Sequence, residues 1–354
     1  MLRIQSSSAA RVALVLAVSC VSAISVGAKD VSIDADKGVT TVTVDGKPLL
    51  EYYHQPNPTK LYVSRWFTPD EVQVLRDSPH DHVHHHALMY AIGIDEVDFW
   101  GEGAPEQYGR QVSRAYSTAS TLDGSGKGEA VIKQRVDWVA PDQEALAEEA
   151  RTIRAHIGVV PEASLLTWRF KLCPAKGRKS MKLWGRHYFG LGMRFVESMD
   201  GGNSTFLMAG DAEGTPVRGT EKLTPAAWCA VHGTVQGKPV TVAVFDAPNN
   251  PRHPAAWFTM TKSFAYLAAT LKLHEEPLVV TNEEPLSCRY GLALWDGTIG
   301  RAGIESAYEK WLQLSGKHQL SGKQRGGVGE HLETAESSGK TIQTFPPPKQ
   351  RWTR

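Results

Sequence analysis

A regular alternation of apolar and polar side chains constrains the fold of this 354-residue chain more than any other feature of its sequence. In LLTWRFKL, the apolar residues from Leu166 to Leu172 occupy every second position, and polar residues lie between them. Successive side chains of a β-strand point to opposite faces, so this pattern indicates a strand with one buried and one solvated face. VTTVTVDGKPLLEYY alternates on both sides of Asp45-Gly46, a dipeptide that favours a tight hairpin turn.

The sequence predicts one helix, near residues 303–314. In GIESAYEKWLQL the apolar positions recur at three- and four-residue intervals, which is the spacing of one face of an α-helix. No internal repeat and no Pro/Ser-rich linker divides the preceding region. Many strands followed by one helix predict an all-β fold, a large antiparallel β-sandwich with one C-terminal helix, which forms a single domain over residues 29–316.

The two ends of the chain differ from this patterned region. Residues 1–28 combine two arginines with an apolar run over 12–18 and small residues after it, which is the layout of a secretory signal peptide. We therefore expect cleavage before Lys29 or Ile24, and a periplasmic or extracellular product without a lipid anchor. Residues 317–354 are polar and Gly-rich and contain three consecutive prolines, which predicts a flexible tail.

Charge and hydropathy argue against two classes of partner. The chain carries 39 Lys and Arg against 38 Asp and Glu, a formal net charge of +1. Nucleic-acid-binding proteins normally show a basic excess, so this balance argues against a nucleic-acid partner. No apolar run reaches the length that crosses a bilayer, so we predict no membrane span.

Histidines are concentrated in the stretch PHDHVHHHALMY. If a strand begins over residues 80–92, His82 and His84 share one face while His85 points to the other. Imidazole titrates near neutral pH, so such a cluster suits general acid–base catalysis. It also suits a divalent transition metal, for which His82 and His84 are the candidate ligands. A solvated His-rich loop without chemistry is the third interpretation.

Carboxylates and an indole follow the histidines. GIDEVDFWGEG places Asp98, Trp100 and Glu102 on alternating positions. Sugar-binding clefts are often built from an indole that stacks on the ring and a carboxylate that bonds hydroxyls. An ordinary strand end with a buried tryptophan fits the same pattern. We predict Glu102 as catalytic, together with the histidines, and Asp98 and Trp100 as substrate-binding residues.

Two later stretches add basic side chains in loop-like contexts. LWGRHYFGLGMRF contains Arg186, His187 and Arg194, and APNNPRHPAAWF contains Arg252 and His253. Loops on a rigid β scaffold frequently carry functional residues. We predict His187 as catalytic and the other four as substrate-binding residues.

Several of these stretches together resemble a known family. DHVHHHALMYA followed by VDFWGE is similar to the Asp-His-x-His-His-x-Gly-Leu and Asp-Phe-Trp-Gly pattern of the domain family named "methane oxygenase PmoA". GRHYFGLGMRF, NNPRHPAAWF and LSCRYGLALWDG resemble its later blocks in the same order. The chain departs from the pattern at Ala87, where the family has Gly, and at His86, where Arg or Lys is usual. The family name suggests the membrane subunit of methane monooxygenase, which the lack of a spanning helix excludes.

The resemblance implies which imidazoles act. His82, His84 and His85 match the family pattern position by position, so we expect these three to line the functional cleft. His80 and His86 do not match it, and we expect them to contribute much less.

A looser similarity bears on mechanism. FAYLAATLKLHEEPLVVTNEEPLSCRYGLALWDG resembles the last strands of the galactose-mutarotase-like supersandwich, a fold that hosts sugar epimerases, lyases and hydrolases. It implies a site of His, Arg and carboxylates on one concave sheet. We therefore predict an exported carbohydrate-active enzyme of lyase, hydrolase or epimerase type. The alternatives are a non-catalytic glycan-binding module, with Trp100 and Trp257 as stacking platforms, and a His-ligated metal enzyme of oxidase or oxygenase type.

Overall fold

The computed structural model describes most of the patterned region. It covers residues 30–104, 106–160, 162–322 and 341–344, with residues 315–322 and 341–344 described by backbone alone. The predicted signal peptide lies outside these residues, as does most of the predicted tail, and both stay predictions.

The described residues form 23 strands, one α-helix and two short 3-10 turns. In chain order the strands are β1 (Val31–Asp36), β2 (Val39–Val44), β3 (Lys47–Tyr53), β4 (Val63–Trp66), β5 (Leu88–Ala91), β6 (Gly93–Ile94), β7 (Val97–Asp98), β8 (Arg110–Leu122), β9 (Gly128–Val139), β10 (Ala145–Ile157), β11 (Ala163–Pro174), β12 (Ser180–Trp184), β13 (Gly190–Arg194), β14 (Thr205–Met208), β15 (Thr215–Arg218), β16 (Glu221–Pro225), β17 (Trp228–Val235), β18 (Lys238–Asp246), β19 (Ala256–Met260), β20 (Tyr266–Thr270), β21 (Leu278–Thr281), β22 (Leu286–Asp296) and β23 (Thr341–Thr344). The turns are Glu197–Met199 and Ala209–Asp211, and the helix α1 is Arg301–Gly322.

The strands build three antiparallel sheets. The first sheet has ten strands in the order β1-β2-β3-β4-β5-β13-β20-β19-β16-β15. The second has nine, in the order β14-β17-β18-β22-β11-β10-β9-β8-β23, and a small third sheet has the order β21-β12-β6-β7. This architecture confirms the predicted all-β sandwich with one C-terminal helix.

The main core lies between the first and second sheets. Tyr90 on β5 contacts Phe170 on β11, with ring centroids 4.3 Å apart, and Trp138 on β9 packs beside Tyr90 in the same core. Along β11 the apolar side chains predicted to face inward are buried, and the basic side chains between them are exposed. The period-two pattern was thus a correct guide to the faces of this strand, because one face packs against a second sheet and the other meets solvent.

The helix covers part of the outer face of the second sheet. Ile304, Ala307 and Trp311 are buried against Phe245 and Trp295, in a smaller apolar cluster separate from the main core. The helix ends six residues past the predicted domain boundary at 316, and β23 pairs with β8 at the edge of the same sheet. Among the residues that the structure describes, there is no helix with both the length and the apolar character of a membrane span.

A charged pair is buried in the main core. Glu149 and Arg151 lie two positions apart on β10, and both side chains point inward. Arg151 Nε donates to Glu149 Oε1 at 2.6 Å, and its Nη1 donates to the carbonyl of Leu61 at 2.8 Å. Trp138 Nε1 donates to the second oxygen of Glu149 at 2.9 Å. These contacts satisfy both charges within the core.

Candidate functional site

The histidine segment forms turns rather than a strand, which corrects the geometry predicted from the sequence. The amide of His85 donates to the carbonyl of His82 at 2.9 Å, and strand β5 begins only at Leu88. Ala87 has a φ of +38°, a left-handed conformation that interrupts an extended run. A period of two therefore does not apply here, and His82, His84 and His85 face the same space.

These three imidazoles line one cleft of about 540 Å³. The ring centroid of His82 lies 5.7 Å from that of His84 and 4.6 Å from that of His85, and His84 and His85 are 4.6 Å apart. This volume is in the range of sites that bind small molecules. The rest of the wall mixes aromatic and charged side chains, including Tyr188, Arg218, Glu221, Phe258, Lys262, Phe264 and Tyr266.

Adjacent strands of the first sheet hold the far wall of the cleft. Tyr266 lies on β20, Phe258 on β19, Glu221 on β16 and Arg218 on β15, which are consecutive neighbours in the sheet. The lack of a side chain at Gly192 on β13 leaves room for Tyr266, since a Cβ there would lie 1.9 Å from the tyrosine hydroxyl. The loop between β19 and β20 contributes Lys262 and Phe264.

Two of the three imidazoles are held neutral. Burial and the neighbouring His84 lower the pKa of His85 to about 2. Burial and the charge of Lys60 lower the pKa of His84 to about 4. A neutral imidazole carries one donor and one acceptor nitrogen. Among the described residues, neither His85 Nδ1 nor the hydroxyl of Tyr266 has a hydrogen-bond partner, and the two rings are 5.2 Å apart.

His82 is oriented by a chain of charged groups. Its Nδ1 lies 3.1 Å from Asp81 Oδ2, and Arg194 Nη2 donates to the same oxygen at 3.3 Å. Burial raises the pKa of Asp81, but the hydrogen bond from His82 and the charge of Arg194 outweigh it, so this pKa lies below its usual value. A carboxylate only accepts, so Nδ1 carries the proton and Nε2 of a neutral His82 keeps its lone pair. Arg194, predicted to bind substrate, is buried behind Asp81 and also bonds Asp200.

Glu102, predicted as catalytic, lies in a buried network instead of on the cleft wall. Its Oε1 accepts hydrogen bonds from Lys60 Nζ at 2.7 Å, from His86 Nε2 at 2.9 Å and from the hydroxyl of Thr59. Burial raises the pKa of Glu102, but His86 and Lys60 lower it to about 2. The side chains of Lys60 and Glu102 are 1% and 7% exposed, so this charge pair is withdrawn from solvent.

His86 takes part in this network, although it departs from the family pattern. Its Nδ1 lies 2.8 Å from Asp77 Oδ1, and its Nε2 contacts Glu102. Because a carboxylate oxygen lies against each ring nitrogen, both nitrogens carry protons, and the hydroxyl of Ser78 also lies 3.0 Å from Nδ1. Burial lowers the pKa of His86, but these two hydrogen bonds raise it above its usual value. His86 is thus a buried imidazolium that ties the histidine turns to the loop around Glu102.

Both candidate stacking platforms are buried, so the interpretation that they bind a sugar ring was wrong. Trp100 is 2% exposed and stacks on Phe189 with ring centroids 4.8 Å apart. Trp257 is fully buried, and its Nε1 donates to the carbonyl of Ala226. Asp98, also predicted to bind substrate, accepts from the amides of Trp100 and of the next residue, at 2.6 Å and 3.1 Å, and fixes this turn.

The remaining predicted residues fall into two groups. His187 lies beside the cleft, where its Nε2 is 3.4 Å from Glu221 Oε2, and Arg186 precedes it as an exposed side chain. Arg252 and His253 do not line the cleft. Arg252 donates to backbone carbonyls, among them that of Leu271 at 2.7 Å, and His253 Nδ1 lies 2.6 Å from Asp246 Oδ2.

The predicted metal pair gains no support from the described residues. His82 and His84 lie side by side, but no group of three or more His, Cys, Asp or Glu side chains in the described part of the chain is arranged to hold a metal ion. A structural or catalytic zinc site normally has at least three protein ligands. The stacked arrangement of His82 on His85 also turns the ring faces, rather than the nitrogens, toward each other.

Acid should destabilise the protein through His85. Its folded pKa of about 2 is below the ordinary value of 6.5, so below that value the unfolded chain binds the proton and the folded chain does not. The free energy of unfolding should fall by up to about 1.4 kcal/mol per pH unit for this group below about pH 6.5. We expect the free energy of unfolding of His85→Gln, measured by urea denaturation, to fall less steeply than that of wild type between about pH 7 and about pH 5. The exposed control His80→Gln should keep the wild-type slope; an equal slope in all three proteins would contradict the prediction.

Sequence reasoning missed most of the far wall. No sequence motif marks Arg218, Glu221 or Lys262. These residues reach the cleft only because β15, β16 and β19 are neighbours in the sheet. Tyr188 could have been predicted from the sequence, since it directly follows His187 in the aromatic stretch LWGRHYFGLGMRF.

Comparison with known proteins assigns the chain to a family and gives little more. Two solved structures are similar over about three quarters of the chain, each at 10% identity. A variant of a glycoside hydrolase family 97 enzyme from Pseudoalteromonas sp. strain K8 has a TM-score of 0.27; the match covers 77% of this chain and 35% of that one. The Slr1438 protein from Synechocystis sp. PCC 6803 has a TM-score of 0.22, with 76% and 92% covered. No curated protein matches the sequence.

The family match corrects the resemblance proposed from the motifs. Residues 39–309 match the family described as "Family of unknown function (DUF6807)", so the expected membership of the "methane oxygenase PmoA" family was wrong. The match spans most of the patterned region, from β2 into α1. The chain therefore belongs to this family of unknown function.

Proposed function

We propose that the cleft around His82, His84 and His85 is the active site of an acid–base enzyme that acts on a carbohydrate or a similar hydroxyl-rich small molecule. One observation carries this proposal: three imidazoles meet at one cleft, and one of them is oriented by a carboxylate. Solvated surface histidines need no such orientation, whereas a general base does.

The roles follow from the protonation states. Asp81 holds the proton of His82 on Nδ1, so Nε2 can accept a proton from a substrate hydroxyl or from an activated C–H group. His84, held neutral at ordinary pH, is placed to donate or accept a hydrogen bond beside it. His85 Nδ1 and the hydroxyl of Tyr266 offer further polar contacts to a bound molecule.

The composition of the wall supports a polar substrate with an apolar face. Phe258, Phe264 and Tyr266 supply ring surface, on which the C–H face of a sugar can pack. Arg218, Glu221 and Lys262 supply charged groups that can bond hydroxyls. With the two tryptophan platforms buried, binding in this cleft depends on these residues instead.

The test is a turnover and binding screen with matched histidine variants. The full chain is incubated with a panel of neutral and uronic mono-, di- and oligosaccharides, and products are followed by mass spectrometry. We expect His82→Ala to lower turnover of any substrate found by at least about a hundredfold, because it removes the general base.

The control is His80→Ala, which removes an exposed imidazole of the same segment outside the cleft. It should leave turnover within about twofold of wild type. Equal activity of the His82, His84 and His80 variants would contradict the proposal. Saccharide binding by calorimetry that is lost in His82→Ala but gives no turnover in wild type would favour the glycan-binding module instead.

A further inference from the structure

A second groove lies on the outer face of the second sheet, beside α1. It has a volume of about 660 Å³ and shares no lining residue with the histidine cleft. Its floor comes from β9, β10, β11 and β22, and Leu312 and Leu314 of the helix form one wall. The side chains on this floor belong to the face opposite the main core.

Basic side chains form a row across this floor. Lys133 pairs in register with Thr152, Thr152 with Arg169, and Arg169 with Arg289. Arg154 lies in the next row, where its side chain forms an ion pair with Glu129. Four adjacent strands thus present Lys133, Arg169, Arg289 and Arg154 to one groove, and no described residue that lines it is acidic.

The juxtaposition of Arg169 and Arg289 is unfavourable on its own. Like charges directly opposite on antiparallel strands repel each other. Among the described residues neither guanidinium has a carboxylate partner, although Arg289 lies over the ring of Trp311 at 4.2 Å. Burial and the charge of Arg169 lower the pKa of Arg289 to about 10. A bound anion would relieve this repulsion, because an arginine pair matches the oxygens of a carboxylate or a sulfate.

The groove also contains neutral polar groups and apolar surface. Thr152, Asn249 and Ser287 place hydroxyl and amide groups along it, and Leu312 and Leu314 add apolar surface. A bare inorganic anion would fill a small part of this volume. Side chains that bond oxyanions, hydroxyls and an apolar ring face together match an acidic sugar unit.

We propose that this groove binds an acidic carbohydrate chain, with a carboxylate or sulfate group held by Arg169 and Arg289. The groove is then a second binding site, on the sheet that does not form the histidine cleft. The proposal does not depend on catalysis in that cleft.

Calorimetry on the full chain tests this site with three probes: a uronic acid trisaccharide, a neutral hexose trisaccharide and inorganic sulfate. We expect the uronic probe to bind more tightly than either of the others. Arg169→Gln and Arg289→Gln should each weaken its binding by about tenfold or more, since each removes a charge-assisted contact. Raising the salt concentration from about 0.05 M to about 0.5 M should also weaken it.

Arg135→Gln is the matched control. Arg135 lies on β9, two positions from Lys133 on the same exposed face, and does not line the groove. This variant should change the affinity by less than about twofold.

Four results would overturn the proposal. These are wild-type affinity in both arginine variants, an equal loss in Arg135→Gln, a neutral trisaccharide that binds as tightly as the uronic probe and is weakened equally by Arg169→Gln, or binding of sulfate when neither trisaccharide binds. Circular dichroism identifies a variant that fails to fold, and Arg169→Gln, at an exposed position, then carries the test with the same expected loss.

Discussion

Replacement of Glu149 by leucine is expected to lower the free energy of unfolding by about 3–5 kcal/mol, measured by urea denaturation. Arg151 would then keep its charge in the core without a counter-ion, since Glu149 provides both of its short charged contacts, at 2.6 Å and 2.8 Å. The remaining partners of Arg151, such as the carbonyl of Leu61, are neutral and cannot replace that carboxylate.

A double variant and a surface pair make this prediction specific. Glu149→Leu combined with Arg151→Met removes both charges and should recover most of the loss, because a buried ion pair is often no more stable than apolar residues of similar volume. Glu144→Leu removes an ion pair to Arg178 in which Glu144 is 56% exposed, and it should cost less than about 1 kcal/mol. Similar losses at Glu149 and Glu144 would show that burial of the pair is not what matters.

Glu102→Leu is expected to destabilise the protein by about 3 kcal/mol or more, because it leaves two buried cations without their shared carboxylate. Lys60 is 1% exposed and donates to Glu102 at 2.7 Å, and His86 is equally buried and donates at 2.9 Å. His86 retains Asp77, whereas Lys60 retains no carboxylate partner among the described residues. Lys60→Met in addition to Glu102→Leu should therefore recover a large part of the loss.

The acid dependence of this loss identifies its cause. The folded pKa of Glu102, about 2, is below its ordinary value of 4.5, so its contribution is complete above that ordinary value and is lost as pH falls toward 2. The difference in stability between wild type and Glu102→Leu should thus shrink between about pH 6 and about pH 3. A difference that stays constant over this range would mean that lost packing, and not charge, causes the destabilisation.

The position of Glu102 also changes how the site is understood. The sequence favoured it as a catalytic carboxylate, because it follows the histidines at alternating spacing with Asp98 and Trp100. The fold buries Glu102 with Lys60, uses Asp98 to fix a turn and places Trp100 in the core. The carboxylate that contacts an imidazole of the cleft is Asp81, from the histidine segment itself.

Local patterning was enough for the fold class. The alternation along β11, the hairpin at Asp45-Gly46 and the helical spacing before Leu314 all describe features set by a residue's immediate neighbours. Side chains two apart on a strand share a face wherever that strand lies in the molecule. The prediction for the histidine segment was wrong because this segment is not a strand. Its turns and the left-handed Ala87 bring His82, His84 and His85 to the same side.

The sequence by itself determined that the chain is an antiparallel β-sandwich with a terminal helix, and that its imidazoles are concentrated in one segment. Only the tertiary structure decided what those imidazoles meet. Strand order in the first sheet brings Glu221 and Tyr266 to the cleft from more than a hundred residues away, and strand register in the second sheet sets Arg169 opposite Arg289. Such contacts depend on which strands become neighbours, and that choice is made by the packing of the whole core, which no local period encodes.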